Sequence, residues 1–259
     1  MAERMNLVEV FSSVQGEGIH VGESTLFVRF AGCDLRCRWC DSPGTWQPSA
    51  HCEIETARGS GVRRRQPNPV SLAALLEALE LLELAAHRWI ALTGGEPLLQ
   101  PEAVRALSLA VRGRGPRIHL ETHGLAVDAL EQVVAGVDLV SMDWKLASDV
   151  RRARDPSPGP VEDFHEAHTA FLKIARAAPE VQIKVVVTPA SQAAELDTMA
   201  ACIAAVDASL PVILQPVTPF GAVRERPRAE QLLALEAALS CVLEDVRVIP
   251  QTHPLYGAP

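Results

Sequence analysis

Apolar positions recur along the chain in two alternating patterns. Residues 25–30 (TLFVRF) are an apolar-rich run that predicts a buried strand. Residues 71–86 carry leucine at helical spacing, with Ser71 as the N-cap. The alternation then continues to the end of the chain. Strands are predicted at 89–92, 117–120, 137–141, 181–187, 212–214 and 246–249. Helices are predicted at 101–111, with Pro101 in the first turn, and at 161–177, 193–206 and 229–243. Strands and helices at this spacing predict parallel βαβ units, and about six or seven fit the length. An open doubly wound sheet and a partial barrel both satisfy the pattern. Two stretches break it: 47–69, rich in Arg, Gly, Pro and Ser, and 147–160, with its run Asp155-Pro156-Ser157-Pro158. Neither separates unlike compositions. The chain therefore reads as a single domain over 1–259, with irregular excursions near 47–69 and 147–160 and no internal repeat.

Composition narrows the classes. Hydrophobic residues make up 48% and charged residues 22%, the balance of a globular chain with a full core. No apolar run approaches the roughly 18 residues of a membrane span. The opening MAERMNLVEV has no apolar signal core, so no secretory leader is expected. A formal charge of −8 argues against coating a nucleic acid. Of 24 basic residues only Lys145, Lys173 and Lys184 are lysine. Scattered arginine suits small anionic ligands more than a polybasic surface.

Polar motifs follow four of the apolar strands: Thr93-Gly94-Gly95-Glu96, Glu121-Thr122-His123, Ser141-Met142-Asp143-Trp144-Lys145 and Gln215-Pro216-Val217-Thr218. Parallel α/β folds build their sites at the carboxyl ends of strands. Four such motifs predict one shared site; polar turns are the alternative for any one of them.

Of six cysteines, Cys33, Cys37 and Cys40 have the spacing C-x3-C-x2-C, while Cys52, Cys202 and Cys241 are scattered. Nothing indicates export, so a disulfide framework is a poor reading, and the expected compartment is the reducing cytoplasm. The tight loop can hold three corners of a [4Fe–4S] cubane, leaving one iron open. It can equally hold a structural zinc, with His51 or Cys52 as fourth ligand. Thr93-Gly94-Gly95-Glu96-Pro97 shifts the balance toward the cluster. Its glycines let backbone approach a ligand, and Glu96 adds an acceptor for an ammonium.

C-x3-C-x2-C followed by a strand ending in GGEP resembles the radical S-adenosylmethionine superfamily. That resemblance implies an incomplete (β/α) barrel, a [4Fe–4S] cluster and S-adenosylmethionine bound at the open iron. Cleavage of the sulfonium would give a 5′-deoxyadenosyl radical. A narrower resemblance spans most of the chain, through Val14-Gln15-Gly16-Glu17-Gly18, Phe27 to Cys33, Trp39-Cys40-Asp41-Ser42, Leu92 to Gln100, Glu121-Thr122-His123-Gly124, Ser141 to Lys145 and Gln215-Pro216. It is to the 7-carboxy-7-deazaguanine synthase family, which acts in queuosine and related deazapurine biosynthesis. The activity implied is conversion of 6-carboxy-5,6,7,8-tetrahydropterin to 7-carboxy-7-deazaguanine with loss of ammonia. A radical-generating activase acting on a partner protein is the alternative enzyme.

The resemblance assigns roles residue by residue. Val14, Gln15 and Gly16 would lie against the pterin, and Thr93 would contact it. Arg29 would pair with its carboxylate, or form a structural ion pair. Glu17 would contact the pterin or cap a turn. Gly95 and Glu96 would face the methionyl group of S-adenosylmethionine. Ser141, Met142 and Asp143 would approach its ribose or adenine, and Gln215, Pro216, Val217 and Thr218 would complete that pocket. Lys145 would bind a carboxylate or sit in a surface ion pair. Ser42 stands where members commonly carry a threonine that ligates Mg²⁺; it would do the same, or cap the turn before Pro43. His123 stands where asparagine is common and reads as a packing residue. Pro259, with its terminal carboxylate, would reach the substrate. A homodimer and an electron donor such as a flavodoxin or ferredoxin complete the expectation.

Overall fold

In the computed structural model, which describes residues 4–155, 159 and 161–257, ten strands form one sheet. They are β1 (Leu7–Val14), β2 (Ser24–Phe30), β3 (His51–Glu55), β4 (Arg63–Pro67), β5 (Trp89–Gly94), β6 (Arg117–Thr122), β7 (Leu139–Asp143), β8 (Glu180–Val187), β9 (Val212–Pro216) and β10 (Val246–Val248). Six helices connect or follow them: α1 (Leu72–Leu81), α2 (Pro101–Val111), α3 (Val127–Val133), α4 (His165–Ala175), α5 (Ala193–Asp207) and α6 (Ala229–Leu239).

The order across the sheet is β10-β9-β8-β7-β6-β5-β2-β1-β3-β4. From β2 to β10 every neighbouring pair is parallel, and the order never reverses. Successive crossovers of one hand then lay their helices on one face, where each of α1 to α6 packs on the next. This is barrel winding rather than double winding. The sheet stays open, with β10 and β4 as edges.

The stretch 47–69, expected to be irregular, instead contains a hairpin that widens the sheet. Strand β3 runs parallel to β1, and β4 returns antiparallel to β3. Cys52 and Ile54 of β3 enter the core, while Glu53 and Glu55 face Arg65 and Arg63 across the pair. Opposite charges in register support such a pair, and a run of arginine blunts the exposed edge. Within 147–160, Val150–Arg152 is likewise a short strand, antiparallel to Leu35–Cys37. Strand β1 and helix α3 are elements that the apolar pattern had not predicted.

Local chemistry sets the helix limits. The Ser71 hydroxyl accepts from the Ala74 N–H at 3.3 Å, capping α1. That helix stops before Glu83, whose left-handed φ of 57° breaks it. Helix α4 starts at His165, four residues later than predicted, where the Asp163 carboxylate accepts from the His165 N–H at 2.8 Å. Helix α6 ends at Leu239, short of the predicted 243, and leaves Cys241 exposed beyond it. Among the described residues no helix is long and apolar enough to cross a membrane.

The period of two sorts each parallel strand into two faces. Val28, Leu92, Leu120, Val140, Met142, Ile183, Val185 and Leu214 join one apolar core beneath the helices. The opposite, concave face receives Arg29, Thr93, Glu121, Asp143, Lys184 and Gln215, one polar side chain from each of six successive strands.

Candidate active site

That row floors a cleft of about 660 Å³. Its rim is the loop carrying Cys33, Cys37 and Cys40, all three half-buried and facing the cleft. The Thr93-Gly94-Gly95-Glu96 turn is bound to the start of this loop. The Gly95 N–H donates to the Phe30 carbonyl at 3.0 Å, and the Glu96 N–H to the Gly32 carbonyl at 2.8 Å. Gly94 has φ +128°, and a Cβ there would collide with the Phe30 backbone. A Cβ on Gly95 would collide with the Gly32 carbonyl. The two glycines thus let the turn meet the cysteine loop backbone to backbone.

The cysteines fit a cluster better than a single ion. A tetrahedral zinc needs four ligands converging at about 2.0–2.3 Å. Cys52 is fully buried in the core, and His51 is exposed on β3, so the hairpin takes both proposed fourth zinc ligands. A cubane, in contrast, spreads its thiolates over different irons. Burial pushes the Cys33 thiol up to about 11 and the Cys37 thiol up to about 12. Both thiols stay protonated at neutral pH unless bound iron displaces the proton.

A chain of alternating charges crosses the floor. Lys145 Nζ lies 2.6 Å from one oxygen of Asp143, and Lys184 Nζ lies 3.1 Å from the other. Lys184 also pairs with Glu17, whose second oxygen accepts from Gln251 Nε2 at 2.7 Å. Burial pushes the Asp143 and Glu17 carboxyls up, but the neighbouring ammoniums outweigh it and hold both below the ordinary carboxylate range. Burial likewise opposes charge on Lys145 and Lys184, yet their acidic partners hold both above the ordinary lysine value. Lys145 Nζ sits 4.7 Å from the centroid of the Trp39 ring, between two cluster cysteines in sequence. Lys145 is thus in a buried pair, not a surface one.

Three residues expected in the site turn away from it. Glu96 is fully buried and both of its oxygens are held: Oε1 by Thr122 Oγ1 (2.8 Å) and the Leu98 N–H (3.0 Å), Oε2 by the His123 N–H (2.8 Å). It locks the turn from behind, and its burial keeps both oxygens out of the cleft. Met142 and Pro216 occupy the alternate positions of β7 and β9, so the pleat points them away from the cleft that Ser141, Asp143, Gln215 and Val217 face. Pro259 lies outside the described residues.

The remaining expected residues line the cleft. Val14, Gln15 and Gly16 form its wall opposite the cysteines. The Gln15 amide is already engaged, donating to Glu121 Oε1 at 2.8 Å. Arg29 donates from Nε to Glu9 at 2.7 Å, and among the described residues no hydrogen bond or ion pair holds its terminal nitrogens. Arg29 therefore forms the structural ion pair and still presents its guanidinium edge to the cleft. The Ser42 hydroxyl does not cap its turn; it donates to Asp41 Oδ1 at 3.0 Å. Thr218 completes the far end. Position 123 also holds its loop: His123 Nε2 lies 2.9 Å from Asp34, and Nδ1 accepts from the Leu125 N–H at 3.2 Å.

Sequence reasoning passed over Lys184 and Gln251. A lone lysine inside the apolar run VQIKVVV was the signal for the first. For Gln251 none existed, because only the fold brings residues 251–254 back over Gly16, whose carbonyl accepts from the Thr252 N–H at 2.9 Å.

Comparison with known proteins adds family to geometry. The sequence profile of the Radical SAM superfamily matches residues 27–189. The chain is 38% identical over 257 residues to the 7-carboxy-7-deazaguanine synthase of Geobacter sulfurreducens, covering 97% of this chain and 96% of that one. It is 36% identical over 257 residues to the 7-carboxy-7-deazaguanine synthase of Methanopyrus kandleri, covering 97% and 93%. Its fold matches the crystal structure of QueE from Escherichia coli with a TM-score of 0.61 at 20% identity, over 96% of this chain and 95% of that one.

Proposed function

Because the chain belongs to the radical S-adenosylmethionine superfamily, and within it to the 7-carboxy-7-deazaguanine synthases, we propose that it converts 6-carboxy-5,6,7,8-tetrahydropterin to 7-carboxy-7-deazaguanine with loss of ammonia. The observation that carries this reading is the row of six polar side chains from six successive strands, facing three cysteines in one cleft. A protein-modifying activase would leave that row without a small-molecule task.

Cys33, Cys37 and Cys40 would hold the [4Fe–4S] cluster, which with S-adenosylmethionine supplies the one-electron cleavage that generates the hydrogen-abstracting radical. This chain's own residues supply binding, orientation and exclusion of water. The Gly94-Gly95 backbone, pinned to the cysteine loop, offers the methionyl group a fixed edge. Ser141, Asp143, Gln215, Val217 and Thr218 would receive the nucleoside. Arg29 would present its planar fork to the substrate carboxylate, with Val14, Gln15, Gly16 and Thr93 along the ring. The alternating lysines and acids keep both signs of charge in the cleft at neutral pH, so an incoming carboxylate or ammonium exchanges one ion pair for another. Ser42 and the adjacent Asp41 would give Mg²⁺ hard oxygen ligands, with waters and substrate completing its shell. A cytoplasmic homodimer belongs to the same proposal.

The test is anaerobic incubation of the reconstituted protein with the carboxypterin, S-adenosylmethionine and dithionite, read by mass spectrometry. The deazaguanine and ammonia are expected. A fully loaded cluster that releases 5′-deoxyadenosine but no deazaguanine would overturn the substrate.

A further inference from the structure

We propose that Arg63, on the hairpin that widens the sheet, is a positioning residue for substrate: it neutralises the Glu9 carboxylate beside Arg29 and so keeps that end of the cleft positive for an incoming carboxylate. The inference rests on Arg29 as the partner of the substrate carboxylate, as read above. Glu9 and Arg29 stand directly opposite each other on β1 and β2, and both line the cleft. Their ion pair alone, Nε to Oε1 at 2.7 Å, cancels: a carboxylate entering the cleft would meet one cation and one anion side by side. Arg63 changes that balance. Its Nη1 takes the second oxygen of Glu9. Two guanidiniums then share one carboxylate, and one positive charge is left over.

The surroundings direct Arg63 to this task. Its neighbour in register across the hairpin is Glu55. That carboxylate is buried and both of its oxygens are held by backbone, from the Ser12 N–H at 2.8 Å and the Gly61 N–H at 2.9 Å. Arg63 therefore reaches past β3 to Glu9 on β1. Glu53, opposite Glu9 on β3, lies 4.0 Å from the same Arg63 nitrogen, but it is half-exposed and water screens its charge. Phe11 supplies a common platform. Arg29 Cζ lies 5.8 Å and Arg63 Cζ 5.2 Å from its ring centroid, and the ring itself stacks on Phe27 at 5.1 Å. A ring fixed by stacking holds both cations to its face. Glu9, Arg29 and Arg63 are all mostly buried, so their charges act over several ångströms with little screening. The excess charge is presented at the Arg29 terminal nitrogens, which no protein group holds among the described residues. Without the hairpin, Glu9 would oppose the substrate's own charge.

The test titrates cluster-loaded full-length protein, with S-adenosylmethionine and no reductant, against two ligands. One is 6-carboxy-5,6,7,8-tetrahydropterin; the other is 6-methyl-5,6,7,8-tetrahydropterin, which lacks the carboxylate. Anaerobic calorimetry reads Kd. Wild type is expected to prefer the carboxypterin roughly tenfold or more. Arg63→Ala should weaken the carboxypterin roughly tenfold and leave the methylpterin within about twofold. Arg63→Lys, which keeps the charge, should stay within about threefold of wild type for both. The double variant Glu9→Gln, Arg63→Ala removes the anion and its cation together, and should return the carboxypterin to within about threefold of wild type. With dithionite added, the Arg63→Ala loss should appear in KM and not in kcat. Should Arg63→Ala fail to fold, Arg63→Met, which keeps the apolar stem over Phe11, takes its place. A hairpin that only supports the fold would weaken both ligands alike. That result, an unchanged Kd in Arg63→Ala, or no recovery in the double variant would overturn the inference. Equal affinity of the wild type for the two pterins would instead overturn the role of Arg29 in the proposed function, and this inference with it.

Discussion

Glu96 and Asp143 both sit at the carboxyl ends of parallel strands, inside motifs that look alike on paper, and they are built in opposite ways. Glu96 takes its donors from the frame itself: two backbone N–H groups and the Thr122 hydroxyl. Asp143 takes both of its partners from long side chains, Lys145 and Lys184. The first arrangement is closed, because donors fixed in the frame hold both oxygens in the buried interior. The second is open, because each lysine can turn to a ligand and leave its acid to another cation. A motif residue therefore serves chemistry or architecture according to who satisfies it, and strand-end position alone does not decide.

The largest effect expected from breaking this comparison is on folding. Glu96→Ala leaves three buried donors without a partner and should cost about 3–5 kcal/mol of stability. Urea denaturation of the purified protein measures it. Asp143→Asn should cost much less, because water in the cleft can solvate the freed lysines, while product formation falls about a hundredfold. The contrast fails if Asp143→Asn is as destabilising as Glu96→Ala, or if Glu96→Ala folds normally and loses only activity.

Much of this was legible beforehand, for identifiable reasons. Strands β5 to β9 are buried on both faces, so they read as short apolar runs with a polar residue at the end. The glycines of TGGEP announced a close backbone approach, and the structure shows Phe30 and Gly32 as what they approach. The radical superfamily fold was within reach of the cysteine spacing and that turn taken together. The direction of Glu96 was not, because it depends on donors in Thr122 and His123 on the next strand. Met142 and Pro216 were within reach, since the pleat that sends Ser141 and Gln215 inward must send their neighbours outward. The hairpin at 51–67 was hidden by composition. Its arginines and glutamates look like a solvated loop until the register pairs Glu53 with Arg65 and Glu55 with Arg63. The contact of residues 220–222 with the cysteine loop had no signature, because only the fold brings the Ala222 N–H to the Arg38 carbonyl.

Two histidines extend the contrast between closed and open groups to acid stability. Burial pushes His119 down to about 4 and His168 down to about 3. His168 is closed like Glu96: Nδ1 meets the Gly124 carbonyl at 2.9 Å, and Nε2 accepts from the Lys145 N–H at 2.9 Å. In the folded chain both rings stay neutral down to those values, whereas unfolded histidine protonates near about 6.5. Between these limits the unfolded state binds more protons, so stability falls as pH drops from about 6.5, by up to about 1.4 kcal/mol per pH unit for each ring. His168→Gln keeps one donor and one acceptor but has no proton to gain. Its unfolding free energy should be lower at pH 7 and should decline less steeply than wild type between about pH 6 and 4. An identical slope would mean that His168 is already charged in the fold.

The smallest effect concerns the most open group. The Ser42 hydroxyl has one partner, the exposed Asp41, and a serine side chain has three staggered rotations open about χ1. Threonine keeps the oxygen, while its branched Cβ restricts that rotation. If Ser42 supplies an oxygen to Mg²⁺, Ser42→Thr should lower the Mg²⁺ concentration for half-maximal product formation by about two- to threefold. Ser42→Ala should abolish the response to Mg²⁺ while leaving the iron and sulfide content unchanged. Titrating Mg²⁺ against product for the three proteins distinguishes a ligand from a turn residue. Three superimposable curves would place Ser42 with Glu96, among the residues whose motif position serves the frame, because an oxygen that binds no cation can be deleted without moving the titration.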